Sequence, residues 1–165
     1  MTGKLMHQPK NGNAMSHTGI SEEEWQAWRG YRRLAEIVTR RVVRDITAAT
    51  GLSGPDFTVL MTLSKSPAGM LTQRELLEYL EWDKSRLSHQ LSRMAARDLV
   101  QRHRNSPAAI SVSITDPGRE RLAVARPVHA KSVRQHFLDR LTPEDVQALI
   151  AITGRLRQSD SGFIE

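Results

Sequence analysis

Between Glu22 and Gln158 the apolar residues recur mostly at the 3.6-residue period of a helix, and only once, in the middle, does the period drop to two. The first periodic segment spans Glu22 to Thr47 and carries Trp25, Trp28, Tyr31, Leu34, Ile37, Val38, Val42 and Ile46. A shorter one, Gly54 to Ser64, turns Phe57, Leu60 and Met61 inward and is stopped by Pro67-Ala68-Gly69. A third, Gln73 to Leu80, buries Leu76, Leu77 and Leu80, and a fourth follows at once, with Asp83 as its cap and Leu87, Leu91, Met94 and Ala95 on one stripe. The pattern then changes: Val100-Gln101-Arg102-His103 and the strictly alternating Ile110-Ser111-Val112-Ser113-Ile114 predict two short strands joined by a turn around Asn105-Ser106-Pro107. Thr115-Asp116-Pro117 opens a helix predicted to continue, kinked at Pro127, to about Arg140, and a last one runs from Pro143 to Gln158 with Val146, Leu149, Ile150, Thr153 and Leu156 on one side.

One local device marks four of the helix starts. In Ile20-Ser21 to Glu24-Trp25, Leu52-Ser53 to Asp56-Phe57, Leu71-Thr72 to Glu75-Leu76 and Leu141-Thr142 to Asp145-Val146, an apolar residue and a hydroxyl are followed three positions later by an acid and then another apolar residue. The hydroxyl accepts from a free amide of the first turn, and the acid reaches back to the cap amide. Each cap contributes about 1 kcal/mol, enough to set a boundary but not to hold the fold.

The fourth helix lies within WDKSRLSHQLSRMAARDL, residues 82–99, and its two sides differ in kind. The stripe that faces inward is aliphatic. The other side presents Lys84, Ser85, Arg86, Ser88, His89, Ser92, Arg93 and Arg97, and from Lys84 to Arg104 the chain holds six basic residues against a single acid, Asp98. Most of the net charge of +6 in this 165-residue chain is therefore gathered in one short segment, which suggests an anionic partner, most economically nucleic acid. The competing reading of such a run is an ordinary solvated face.

The remaining composition narrows the classes. With 39% hydrophobic and 25% charged residues the chain reads as a soluble protein of one domain with attached arms, and no apolar run approaches the roughly 20 residues that a membrane-spanning helix needs. Residues 1–20 lack the apolar core of a secretory signal and are expected to form a flexible tail, as are residues 159–165, with the cytoplasm as the expected compartment. There is no cysteine, which excludes disulfides, thiolate zinc sites and thiol-based sensing.

Two short helices joined by a tight turn and followed by a hairpin make a winged helix-turn-helix, whose second helix enters the major groove. The expected fold is thus mainly α with a small β-hairpin wing: a DNA-binding domain at 51–115, flanked by dimerisation helices at 21–50 and 116–158. On this arrangement Ser85, Arg86 and His89, near the amino end of the recognition helix, meet base edges, and Arg86 is the first choice for reading guanine. Lys84, Ser88, Arg93 and Arg97 are placed on the same DNA-facing side, with Lys84, Arg93 and Arg97 assigned to phosphates. Thr72 and Gln73, at the start of the preceding helix, are candidate donors to a phosphate. A lone domain of this kind would leave Trp25, Trp28, Ile150 and Leu156 uncovered. Pairing two copies covers them and sets two recognition helices about one turn of DNA apart.

The sequence resembles the MarR family of winged-helix transcriptional regulators over about residues 22–157. The resemblance is carried by Leu71-Thr72-Gln73-Arg74-Glu75-Leu76, by Asp83-Lys84-Ser85, by Leu99-Val100-Gln101-Arg102 and by Ile114-Thr115-Asp116-Pro117-Gly118-Arg119, in that order and spacing. It implies an obligate homodimer held by the first and the last two helices, bound to a roughly palindromic operator, typically repressing, and released by a small, often aromatic or phenolic ligand. Two departures stand out. Asp98 sits where the family usually has glycine just past the recognition helix, a position that favours a left-handed backbone, so a small stability cost is expected. The family's Asp-x-Arg at the wing tip is replaced by Ser106-Pro107-Ala108 in a loop that looks shorter, so that either Arg104 takes over minor-groove contact or the wing contributes little.

The resemblance also implies a ligand cleft between dimer arms and reader, for which Trp28, Tyr31, Phe57 and Met61 are candidate walls and Arg32 a candidate partner for an anionic effector; core packing is the competing role for these stripes. His129 and His136, seven apart, would suit a metal only if another chain supplied ligands, and no metal or cofactor is expected. No phosphate loop, His-Glu-x-x-His, cysteine nucleophile or serine elbow points to an enzyme. The rival reading is a dimer of the same fold that binds ligands or proteins and has lost specific DNA reading.

Overall fold

The computed structural model describes residues 19–106 and 109–160. Six helices and three strands follow in the order α1 (Glu22–Thr50), α2 (Gly54–Leu63), β1 (Met70–Thr72), α3 (Gln73–Leu80), α4 (Lys84–Ala95), β2 (Val100–Ser106), β3 (Ala109–Ile114), α5 (Asp116–His136) and α6 (Pro143–Asp160), with a short 3-10 turn at Leu138–Arg140. The chain divides at Ile37/Val38 into two compact units.

In the first unit the amino-terminal part of α1 opens on its capping box: Glu24 donates its amide to the Ser21 hydroxyl, and Ser21 returns its own amide to the Glu24 carboxylate. The Trp28 and Tyr31 rings lie 5.9 Å apart, and the Arg32 guanidinium sits 6.0 Å from the centre of the Trp28 ring.

In the second unit the other three boxes close in the same reciprocal way, at Ser53/Asp56, Thr72/Glu75 and Thr142/Asp145. Because a capping box needs only residues three apart, it forms wherever the local sequence allows. The core gathers Leu60 and Leu63 of α2, Leu76 of α3, Leu87, Leu91 and Met94 of α4, Leu99, Val112 of β3, and Leu122 and Ala125 of α5, all buried. Burial of this aliphatic set is the main driving force of the fold.

The strands form an antiparallel sheet in the order β1-β3-β2. The central strand, β3, pairs Val112 with Leu71 on one side and with Arg102 on the other. Strand β1 was not anticipated: three residues are too few to show an alternating pattern, and their pairing with β3 is settled by contact across about 40 residues of chain. It leads directly into α3, so the helix-turn-helix is stitched to the base of the hairpin. The strands also run further than expected, to Ser106 and from Ala109, with an irregular register between Arg104 and Ser106. Pro107 and Ala108, on which the expectation of a shorter tip falls, lie outside the described residues. Other boundaries differ at helix ends: α1 continues to Thr50 and α6 to Asp160, while α5 runs through Pro127 but gives way to the 3-10 turn after His136.

Asp98 takes the left-handed backbone expected of it, at φ 52°, and so does Glu81, which closes α3 by donating its amide to Leu77. Gly118 is needed for a different reason. It is buried in the first turn of α5, where a Cβ would run into the carbonyl oxygen of Leu99 and lie 2.9 Å from the Ile114 side chain. That carbonyl also accepts the Thr115 amide and cannot simply turn away. Gly118→Ala is accordingly expected to cost about 1–3 kcal/mol as overpacking, read from the midpoint of a urea transition; an unchanged midpoint would mean that the α5–β2 junction yields freely.

His129 packs its ring 5.0 Å from that of Phe57, and His136 bonds through Nε2 to the Asp45 carboxylate at 2.9 Å. The Ser132 hydroxyl donates to the same carboxylate, and with His136 it holds Asp45 down at a pKa of about 2. Both histidines thus join α5 to its neighbours, and among the described residues no group of three or more potential ligands is placed to hold a metal.

Candidate nucleic-acid interface and effector pocket

Helix α4 begins where the Asp83 carboxylate accepts the Arg86 amide. Its buried stripe is Leu87, Gln90, Leu91 and Met94; Lys84, Ser85, Arg86, Ser88, His89, Ser92 and Arg93 are all exposed. The inward assignment of Ala95 is corrected: it is exposed, and the buried position is taken by Gln90. A polar residue is tolerated there because the Gln90 amide donates to Asp56 Oδ1 at 2.7 Å. An unpaired amide in that position would cost free energy.

Asp56 is the centre of the arrangement that seats α4. Its side chain is fully buried at the start of α2, and its second oxygen accepts from the Ser53 amide and from Arg97 Nη1 at 2.7 Å. Burial pushes the carboxyl up, but the Ser53 amide and hydroxyl and the Arg97 guanidinium outweigh it and hold the group below its usual value. Arg97 uses its other nitrogen on the carbonyl of Gly51, at 2.8 Å. Arg97, expected on the phosphate-contacting side, thus has its guanidinium on Asp56 and Gly51 and fastens the end of α4 to the α1–α2 junction.

Thr72 is engaged in a similar way. Its hydroxyl donates to Glu75 Oε2 at 2.7 Å and accepts the Glu75 amide, so the proton it was expected to offer a phosphate is used within the capping box. Gln73, the first residue of α3, is half-buried beside it. On the sheet side, Arg102 of β2 donates to the Ser88 carbonyl at 2.8 Å, which ties the base of the hairpin to the middle of α4. Arg104, two residues further along β2, is exposed.

Arg86 has a contact that was not anticipated. Its guanidinium lies over the Trp82 ring, 4.2 Å from the centroid, in a cation–π arrangement. The signal was present in the sequence as an aromatic four residues before an arginine, but Trp82 precedes the cap and was not counted with the helix. Both side chains line a cavity of about 570 Å³ whose other walls include Val42, Ile46, Phe57, His129 and Val133. Of the expected ligand residues, Phe57 lines this cavity, whereas Met61 is packed against the core. Trp28 and Arg32 line a different cavity of about 450 Å³, built on the first unit's helix with Trp25, Arg29, Arg33 and Glu36; Tyr31 lines neither.

Comparison with known proteins places this geometry. A family model described as MarR family matches residues 50–108, which covers α2 through β2. AbsC, a MarR family transcriptional regulator from Streptomyces coelicolor, is 30% identical with a TM-score of 0.80, the match covering 87% of this chain and 97% of AbsC. Sco3205, a MarR family transcriptional regulator from the same organism solved in complex with DNA, is also 30% identical, with a TM-score of 0.78 over 85% of this chain and 89% of its own. The organohalide-sensing regulator RdhR-CbdbA1625, solved with 2,4-dichlorophenol bound, shares the fold at 16% identity and a TM-score of 0.74, over 96% of this chain and 89% of that one. No curated protein matches the sequence. With a winged helix-turn-helix whose recognition helix is seated as described, and with AbsC 30% identical along nearly its whole length, the chain belongs to the MarR family of transcriptional regulators, which are not enzymes.

Proposed function

We propose that this regulator binds a roughly palindromic operator as a homodimer, inserting α4 of each copy into the major groove, and that it represses until a small aromatic or phenolic ligand releases it. The observation that carries the reading is the exposed side of α4: Lys84, Ser85, Arg86, Ser88, His89 and Arg93 stand free of any acid on that helix, over a stripe held down by the core and by Asp56. Ser85, Arg86 and His89 are the base readers, Lys84, Ser88 and Arg93 contact the backbone, Gln73 offers a donor from α3, and Arg104 reaches the duplex from β2. The DNA complex of Sco3205 supports the role. Dimerisation is supported by large apolar side chains left in solvent, among them Tyr31 at 64%, Ile150 at 61% and Leu156 at 65% exposure. On this reading residues 51–115 are the reader, and 21–50 with 116–158 form the dimer arms. The small-molecule arm of the proposal rests on the cavity beside α4 and on the dichlorophenol held by RdhR-CbdbA1625. Among the described residues no helix is long and apolar enough to cross a membrane.

Arginine substitutions separate reading from clamping. Arg86→Ala is expected to reduce the preference for the selected operator over a scrambled duplex by ten-fold or more, corresponding to about 1–3 kcal/mol for one lost bidentate contact. Arg93→Ala should weaken both duplexes alike and flatten the plot of log affinity against log salt by about 0.9. Fluorescence anisotropy at two salt concentrations measures both. Equal losses on the two duplexes for Arg86→Ala would remove it from base reading, and unaltered binding in both variants would turn the assignment toward the ligand- or protein-binding alternative.

A further inference from the structure

We propose that Arg102, at the base of the wing, is a further contact to the DNA backbone: its guanidinium holds a phosphate of the duplex in the notch between β2 and α4, beside the Ser88 hydroxyl. This rests on the proposal above that α4 enters the major groove, and adds a cation that α4 itself does not carry.

The pairing of the strands places Arg102. Val100, Arg102 and Arg104 lie opposite Ile114, Val112 and Ile110, and residues directly opposite one another in an antiparallel pair share a face. That face packs on the core, and exposure rises along it toward the tip: Val100 is buried, Arg102 half-buried and Arg104 exposed. Arg102 thus stands where the inward face of the hairpin leaves the aliphatic core and meets the side of α4. An aliphatic residue would fill such a position without charge. A guanidinium stays ionised, and half-buried it costs free energy unless something compensates its charge.

Among the described residues no carboxylate pairs with Arg102. Its bond goes to a backbone carbonyl: Nη2 donates to Ser88 at 2.8 Å. The same carbonyl accepts the Ser92 hydroxyl at 3.0 Å, so it has a partner without Arg102. Nε is buried with no hydrogen-bond partner, and a buried donor left unpaired is itself destabilising. Ser88 and Ser92, the residues of α4 joined at that carbonyl, are short and exposed, and leave the flank of the helix open.

With α4 in the major groove the hairpin lies alongside it, and a sugar-phosphate backbone passes between the two. A phosphate supplies what the notch lacks, a full negative charge with oxygens that accept from a guanidinium at more than one point. Because Nη2 ties Arg102 to the middle of α4, a phosphate held there is fixed in register with that helix. Contacts of this kind set the position from which base edges are read.

Fluorescence anisotropy of the full-length protein across a salt series tests this with three variants, each checked for folding by circular dichroism. Arg102→Lys keeps the charge, Arg102→Gln keeps a donor for the Ser88 carbonyl without charge, and Arg102→Met keeps neither. Both uncharged variants are expected to bind the selected operator and a scrambled duplex about ten-fold more weakly, to the same degree on each. They should also flatten the plot of log affinity against log salt by about 0.9 for each protomer bound, whereas Arg102→Lys keeps the wild-type slope. Single methylphosphonates, which neutralise one phosphate at a time, locate the contact: at one position per half-site the substitution weakens wild type and leaves Arg102→Gln unchanged. If Arg102→Gln keeps the wild-type slope, or if every methylphosphonate acts on it as on wild type, Arg102 is a structural tie only and the proposal is overturned, while DNA reading by α4 stands. Failure of both uncharged variants to fold assigns the same structural role and overturns it equally. If wild type itself binds neither duplex, the DNA reading fails and takes this contact with it.

Discussion

Asp56→Ala is expected to lower the unfolding free energy by about 3 kcal/mol. Removing one member of a buried ion pair costs roughly 3–5 kcal/mol, because the partner's charge is left without compensation. Here the Arg97 head is 40% exposed and can rehydrate, which moves the expected value to the lower end of that range. Two further losses act on the same residue: Gln90 is left with a buried amide lacking its acceptor, and α2 loses the acid of its capping box. Asp56→Asn keeps the shape but replaces an acceptor oxygen with a donor facing Gln90 or Arg97, so it should also destabilise. Urea denaturation checks both variants, and a loss below about 1 kcal/mol for Asp56→Ala would remove the network as the fastening of α4. Operator binding, measured where each variant remains folded, should fall too, since α4 loses its tie to α2 at Gln90 and its tie to the α1–α2 junction at Arg97.

Leu91→Ala is expected to cost about 2–5 kcal/mol, the range for truncating a fully buried leucine whose surroundings relax only in part. The position matters as much as the area. Leu91 lies at the middle of the inward stripe of α4, between Leu87 and Met94, so the void opens under the centre of the recognition helix. Its neighbour Ser92 faces outward, bonds only back to the Ser88 carbonyl, and as Ser92→Ala should change stability by less than about 0.5 kcal/mol. Denaturation midpoints of the two variants side by side measure the anchoring directly. Comparable small effects would mean that α4 is held by its ends and by Arg102, not by its aliphatic edge.

Leu91 and Arg97 mark what local spacing does and does not reveal. Leu91 was placed by periodicity alone, because a helix repeats every 3.6 residues and its buried stripe repeats with it. The four capping boxes and the left-handed Asp98 were legible for the same reason, since each depends on residues within four positions of one another. Arg97 belongs by composition to the basic run, but its partners Asp56 and Gly51 lie 41 and 46 residues earlier, and nothing local distinguishes an arginine bound to a buried carboxylate from one free for phosphate. The contact of Thr72 was legible: the box that names it as a cap also engages its hydroxyl, a consequence that follows from the motif itself. Gln90 carried no signal, because a polar residue on an inward stripe is explained only by the acceptor it finds.

Sequence alone determined the order and approximate extent of the helices, the hairpin, the sided character of α4 and the family resemblance, because all of these are written in short-range spacing of apolar, hydroxyl and charged residues. Only the tertiary structure decided which of the cations are spent: Arg97 on Asp56, Arg102 on the Ser88 carbonyl, and Arg86 over Trp82 at the edge of a cavity. Charge is a property of a residue, but its availability depends on which groups the fold brings within about 3 Å of it, and those partners are chosen by packing across the chain.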